Sequence, residues 1–367
     1  MASPEISIEQ HRRTRVHELG RGLMSRKAIY LDLRFWIRLR DAARYDKSGP
    51  EKDLLSALRS AVASGKAFCP ITDSTFLEMF KQTDPESRLA TADLIDELSL
   101  GVTLIPFDMR IGTEIAHHMH STRAPDMVDP LRELVWSKLH YVMGFTDPVL
   151  PAYDQQTNQA IQKAFFDDMW DSATLVQMTQ VLGEQFVDAD PLHFVETAAR
   201  LNEEILRHSD SVKSMQMTYR HELIGVLDLY VSLVASIVAH SLPPEAEPLP
   251  TEGTAERAEV DRQCLALLVE AFDTEAGKLA LRTLHINTTL YAAHRWDTGQ
   301  SLKANDLFDF HHACAAIAYC DAFFTEKPLR TLVCRSDIRL DKQFGCFVTS
   351  DFTESIAYVE RLSGNDC

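Results

Sequence analysis

The residues best suited to chemistry in this 367-residue chain are acids placed at the ends of apolar runs. Asp32 lies in Tyr30-Leu31-Asp32-Leu33-Arg34-Phe35-Trp36. A carboxylate there is costly unless a cleft solvates it, a cation pairs with it or a metal binds it. Capping the next helix or pairing with Arg34 would also account for it. Glu78 follows Thr75 at the spacing of a capping box, in which the Glu returns to a backbone N–H. Asp306 and Asp309 stand at i and i+3 where a helical stretch begins, so they share a face. A helix N-terminus attracts acids for dipole reasons alone, which accounts for one of the two. Asp321 comes where that helix gives way to an apolar run, an electrostatically poor place that demands another reason. Thr325 and Glu326 close the same run. Ligands of open parallel sheets bind beyond the carboxyl ends of the strands, which is where Asp32 and Glu326 are expected.

Such acids need a sheet to position them. The apolar runs 28–31, 68–71 and 102–105 read as short buried strands, set among helical stretches at 53–63, 74–81 and 85–98. Alternation resumes late in the chain, with a helix over 306–319, a strand over 322–325, a short helix over 329–333, a strand over 346–349 and a helix over 353–362. Alternation with short connections predicts a parallel α/β sheet. The middle differs: 130–144, 158–183, 191–208, 211–241 and 257–282 carry helical periodicity. Pro243, Pro244, Pro248 and Pro250, with Glu between them, read as an exposed acidic connector. The expected architecture is α/β, with one discontinuous domain over 26–115 and 300–367 and an all-helical insertion over 116–299.

A strand ending in Asp32, Glu78 in an early helix, Asp309 opening a late helix and acids around the next strand together resemble the PIN domain of ribonucleases. The stretch Asn305-Asp306 … Asp309 … His312-Ala313 … Tyr319-Cys320-Asp321 … Phe324-Thr325-Glu326 looks like a bacterial PIN-like branch. The resemblance covers 26–110 and 300–365 and leaves out the middle. The chain departs from it in interrupting a usually compact core, and in carrying Glu326 where many relatives have Asp. The resemblance implies a three-layer α/β/α fold with a central, mainly parallel sheet. It also implies a catalytic set of Asp32, Glu78, Asp309 and Asp321, which would hold Mg²⁺ or Mn²⁺, with Asp306 and Glu326 as further ligands and Thr325 in support. Converging carboxylates cannot all stay ionised without a cation, and hard divalent ions prefer oxygen ligands. One or two such ions activate a water and stabilise charge on a phosphate. The implied activity is a metal-dependent endoribonuclease acting on RNA, in a bacterial toxin or defence setting. The insertion would select the substrate or a protein partner, and a homodimer is compatible with it. A catalytically weak PIN-like interaction or scaffold protein and a DNA-directed nuclease stay open as alternatives.

Composition bounds these readings. The net charge of −17 argues against holding nucleic acid by bulk charge, but it allows a local basic groove beside an acidic metal site. Arg34, Arg38 and Arg40 follow Asp32 and are candidates for such a groove, with solvated helix faces the commoner explanation. Seven scattered cysteines without CxxC pairs read as reduced thiols of a cytoplasmic protein. The first residues contain no apolar signal region. Residues 223–242 approach bilayer-spanning length, but Asp228 within them points to a buried core helix and no membrane. His117, His118 and His120 lack a third metal ligand at suitable spacing and read as surface or core residues. His312 is expected to pack on the sheet. No dinucleotide, P-loop or serine-hydrolase motif occurs.

Overall fold

Four apolar runs form strands where the pattern places them, the run 68–71 gives only Phe68 to a two-residue strand, and a sixth strand comes from the middle of the chain. They are β1 (Lys27–Leu31), β2 (Ala67–Phe68), β3 (Val102–Leu104), β4 (Trp136–Lys138), β5 (Ala322–Phe324) and β6 (Phe347–Thr349). The computed structural model describes residues 6–142, 144, 147–182, 193–207, 214–240, 248–297 and 301–364. The four strands β2-β1-β5-β6 pair in that order and all run parallel. A parallel bridge from Ile71 to Thr103 joins β3 beyond β2, and β4 closes that side antiparallel.

Alternation within the strands splits the core into two layers, since successive side chains of a strand point to opposite faces. Ala28, Tyr30 and Phe323 enter one cluster, and Ile29, Leu31, Ala322 and Phe324 the other. Ile29, Leu31, Phe323 and Phe324 are all 0% exposed, each worth about 1.5–3 kcal/mol of burial. Covering both faces takes helices on both sides, as a parallel sheet requires.

Helix α1 (Ile8–Leu23) precedes the sheet, and α2 (Leu33–Arg44), α3 (Pro50–Ala63), α4 (Asp73–Phe80) and α5 (Pro85–Ser99) alternate with β1 to β3. Helix α6 (Phe107–Arg123) follows, and α7 (Leu139–Val142), α8 (Gln155–Ser172) and α9 (Leu175–Leu182) come after β4. Next are α10 (Phe194–Arg207), α11 (Met215–His240), α12 (Ala255–Phe272), α13 (Glu275–Ala280) and α14 (Arg282–Trp296). Helices α15 (Ala304–Tyr319), α16 (Lys327–Val333), α17 (Leu340–Phe344) and α18 (Phe352–Ser363) complete the chain. Trp36 of α2, Leu58 of α3, Ile95 of α5 and Val359 of α18 pack with Ile29, Leu31 and Phe324. Ile111 of α6, Leu227 of α11, Leu290 of α14 and Ile317 of α15 pack with Tyr30 and Phe323.

The middle of the chain departs from expectation in three ways. It is not all-helical: within 130–144, β4 takes the open edge of β3, and its Trp136 packs edge-on against Phe68 at 5.1 Å. Edge pairing of this kind leaves no mark on helical periodicity. The stretch 158–182 breaks between α8 and α9, where Asp96 of α5 accepts the Leu175 and Val176 amides at 2.8 and 2.9 Å. The stretch 257–282 breaks at Thr274, whose hydroxyl caps α13. Residues 143, 183, 191–192, 208, 211–213 and 241 of the expected helices, with Pro243 and Pro244 of the connector, lie outside the described residues.

Helix α11 has the length and mean hydropathy, 1.9 over its most apolar window, of a membrane-crossing helix. It packs on α14 and α12 through a stripe that includes Leu223, Leu227 and Val234. Ile224 and Leu229 are 52% and 70% exposed, so α11 is buried along one side and not all round, as a core helix would be.

Candidate active site

Asp32 follows β1, and its backbone N–H donates to Phe324 O at 3.1 Å, extending the β1–β5 ladder by one residue. Thr325 N–H does the same to Thr349 O at 2.9 Å. Both residues therefore stand at the carboxyl edge of the parallel sheet. Asp32 is the N-cap of α2, its Oδ1 accepting the Phe35 amide at 3.1 Å, and it is 7% exposed. Burial pushes its carboxyl up to about 6, against the Phe35 amide, the Thr325 hydroxyl and His312, while Glu326 adds to the rise. The Thr325 hydroxyl is buried beside it without a hydrogen bond of ordinary geometry.

Asp309, in the second turn of α15, is pushed further, to about 7. Burial is the largest cause; the charges of Glu78, Asp32 and Glu326 raise it further and His312 opposes them. Asp32, Glu78, Asp309 and Glu326 thus share one electrostatic neighbourhood at the carboxyl edge. Glu326 sits at the N-cap position of α16 with no capping bond from its side chain, and it is exposed. Among the described residues no Lys or Arg forms an ion pair with these four acids, and His312 is their one basic partner.

Glu78 is not the capping residue its spacing suggested. Helix α4 begins earlier, with Thr72 as N-cap and Thr75 as its reciprocal partner, which leaves Glu78 in mid-helix. Its Oε2 meets His312 Nε2 at 2.8 Å. His312 Nδ1 meets Tyr30 OH at 2.6 Å, and that hydroxyl reaches Thr72 Oγ1 and Thr75 Oγ1, both at 2.9 Å. Burial alone would lower the His312 pKa, but the Tyr30 oxygen and the Glu78 carboxylate outweigh it and hold the ring well above the ordinary histidine range. His312 does pack on the sheet, through Tyr30, but it also belongs to the acidic site. Its i+3 spacing from Asp309 was the available signal.

Two of the expected acids lie elsewhere. Asp321 precedes β5, at the amino edge of the sheet, about 13 Å of strand away from Thr325. Its carboxylate accepts from Lys27 Nζ at 2.8 Å, from the Ala28 amide at 3.0 Å and from Arg132. Burial opposes its ionisation, but these donors outweigh it and hold the carboxyl below its ordinary range. The reason this acid stands beside a helix C-terminus is therefore an ion pair. Asp306 caps α15, its Oδ2 accepting the Lys303 amide at 2.7 Å.

The donor set at the carboxyl edge suits a hard divalent ion in chemistry: carboxylates with no Lys or Arg ion pair among the described residues, two of them raised, beside the buried Thr325 hydroxyl. As they stand, no three or more His, Cys, Asp or Glu side chains among the described residues are arranged to hold a metal ion. The acids are gathered without being drawn round a common point. Arg34, Lys81 and Lys327 follow Asp32, Glu78 and Glu326 within three residues, and Arg34 and Lys327 are exposed. No protein-family model, curated protein or solved structure matches this chain.

Proposed function

We propose that the chain is a PIN-like, metal-dependent endoribonuclease whose site comprises Asp32, Glu78, Asp309 and Glu326. One observation carries the reading: these acids stand in one electrostatic neighbourhood at the carboxyl edge of a parallel sheet, no Lys or Arg among the described residues forms an ion pair with them, and burial, aided by the neighbouring carboxylates, pushes Asp309 up to about 7. Like charges buried together without a counter-ion are costly, and a bound cation removes that cost. Asp32, Asp309 and Glu78 would hold Mg²⁺ or Mn²⁺, with Thr325 beside Asp32 and Glu326 at the rim. The ion supplies activation of a water and charge neutralisation at the scissile phosphate. Asp32, tied to the Phe35 amide by Oδ1, offers its second oxygen; Glu78, tied to His312 by Oε2, offers Oε1. Arg34 and Lys327 at the rim would bind the flanking phosphates.

The net charge of −17 favours one rival, a PIN-like protein that has lost catalysis and serves as an interaction module. RNA cleavage with Mg²⁺ or Mn²⁺, assayed beside metal-dependent thermal stabilisation, separates the two. The nuclease reading expects both in wild type and neither in Asp309→Asn. Cleavage by Asp309→Asn at the wild-type rate would defeat it. A single-stranded DNA substrate in the same assay tests the choice of sugar.

A further inference from the structure

Each of the three inner acids comes from a different element: Asp32 from the end of β1, Glu78 from α4 and Asp309 from α15. Those same elements are tied together by one buried hydrogen-bonded group. Tyr30 stands two residues before Asp32, Thr72 and Thr75 lie six and three residues before Glu78, and His312 lies three after Asp309. In a strand the i and i+2 residues share a face, and in a helix the i and i+3 residues do. Each acid is therefore matched, on its own element, by a member of the group.

The group is nearly closed to solvent: Tyr30 and Thr75 are 0% exposed, Thr72 2% and His312 1%. Every link is short, at 2.6 Å for Tyr30 to His312, 2.9 Å for each threonine and 2.8 Å for His312 to Glu78. Glu78 Oε2 is spent on His312, and Oε1 makes no hydrogen bond among the described residues.

From this arrangement we infer that Tyr30 and His312 are positioning residues that clamp Glu78 by one oxygen and fix the spacing of β1, α4 and α15 at the metal site. The inference rests on the nuclease reading above. Partners behind a ligand orient it and are commonly worth roughly 10- to 100-fold in metal affinity or activity. Imidazole suits the task because its two nitrogens reach Tyr30 and Glu78 at once, from a ring that packing locks in place. Asparagine at this position reproduces the Nδ1 side and loses the reach to Glu78, whereas glutamine places a donor near Nε2.

The test measures Mn²⁺ affinity by calorimetry, together with kcat and KM for RNA cleavage, in wild type, Tyr30→Phe, His312→Asn, His312→Gln and Asp309→Asn. Circular dichroism and unfolding curves check the fold of each variant. Tyr30→Phe deletes a single hydroxyl, so the test survives should His312→Asn fail to fold. The expected result is Mn²⁺ binding weakened roughly 10- to 100-fold in Tyr30→Phe and His312→Asn, with kcat lowered and KM for RNA unchanged. His312→Gln is expected to recover most of the Mn²⁺ affinity. Wild-type Mn²⁺ affinity and kcat in Tyr30→Phe and His312→Asn, with Asp309→Asn inactive, would overturn the clamp and leave the nuclease reading standing. Wild type that neither binds Mn²⁺ nor cleaves RNA would remove both.

Discussion

Replacing Asp309 by Asn is expected to stabilise the metal-free protein, the reverse of the usual effect of changing a partly buried residue. Asp309 titrates near 7 in the fold and near 3.8 in an unconstrained chain. A raised carboxyl favours the fold at low pH, where it is protonated, and its stabilising share is lost as pH rises towards the folded value. Between pH 3.8 and about 7 the penalty grows by roughly 1.4 kcal/mol per pH unit, to about 4 kcal/mol at pH 8. Asp32 and Glu326 contribute to the same rise, so part of that penalty belongs to the cluster and outlasts the substitution. A gain of about 2–4 kcal/mol is therefore expected at pH 8 in EDTA, falling below about 2 kcal/mol at pH 5. With an unfolding entropy of roughly 2 cal/mol/K per residue, a chain of 367 residues shifts by about 1.3 °C per kcal/mol, or about 3–5 °C in all. Differential scanning calorimetry at pH 5 and pH 8, in EDTA and in Mn²⁺, measures it. The mutant should melt above wild type in EDTA at pH 8, and Mn²⁺ should raise wild type alone. A mutant that melts at or below wild type in EDTA at both pH values would refute the argument that uncompensated charge is stored at this edge.

Asp321→Asn should destabilise the fold by about 1–3 kcal/mol, since it weakens a 13%-exposed carboxylate bonded to Lys27 and Arg132. Its pKa is lowered, so its contribution is present above pH 3.8 and fades as pH falls further, opposite in sign to Asp309. Because Asp321 stands at the other edge of the sheet, Mn²⁺ affinity and kcat should match wild type, and a loss of Mn²⁺ binding in this variant would contradict the site drawn here. Thr325→Val keeps the shape of a buried side chain and removes a hydroxyl that makes no hydrogen bond of ordinary geometry but helps to lower the Asp32 carboxyl, so unfolding curves in EDTA should stay within about 1 kcal/mol of wild type. The same variant should bind Mn²⁺ more weakly, as read by titration. Arg34→Glu combined with Lys327→Glu should raise KM for RNA with little change in kcat. The dependence of log KM on log salt should also flatten, by roughly 0.7 for each phosphate of the single strand that the variant leaves unneutralised.

The acids at the carboxyl edge were legible because a charge at the end of an apolar run has few explanations. Asp32 stood out for that reason and Asp309 through its spacing from Asp306 at a helix start; Asp32 does cap α2, within electrostatic reach of Asp309. Asp321 carried the same local signature, an acid bounding an apolar run. What separates it from Asp32 is direction: Asp32 follows its strand and Asp321 precedes one, so in a parallel sheet the two must lie at opposite edges. That inference was available from the sequence once the sheet was taken as parallel, and Glu326, which follows β5, was the better candidate. The capping reading of Glu78 failed differently. Two overlapping box spacings, Thr72 with Thr75 and Thr75 with Glu78, compete for one helix start, and only the upstream pairing lets Thr72 and Thr75 both reach Tyr30. The choice between them is made by a strand 42 residues away in sequence, which no local rule contains. The same holds for β4, whose place depends on an open edge of β3.

The two kinds of contact also divide the labour of the site. No Lys or Arg among the described residues pairs with these acids, and a fold tolerates such a cluster only when its surroundings over-determine the geometry. Tyr30, His312, Thr72 and Thr75 supply that constraint from groups that are fully paired and nearly closed to water. The cost of the cluster and the rigidity that sustains it lie within three residues of each other on β1 and α15, and within six on α4.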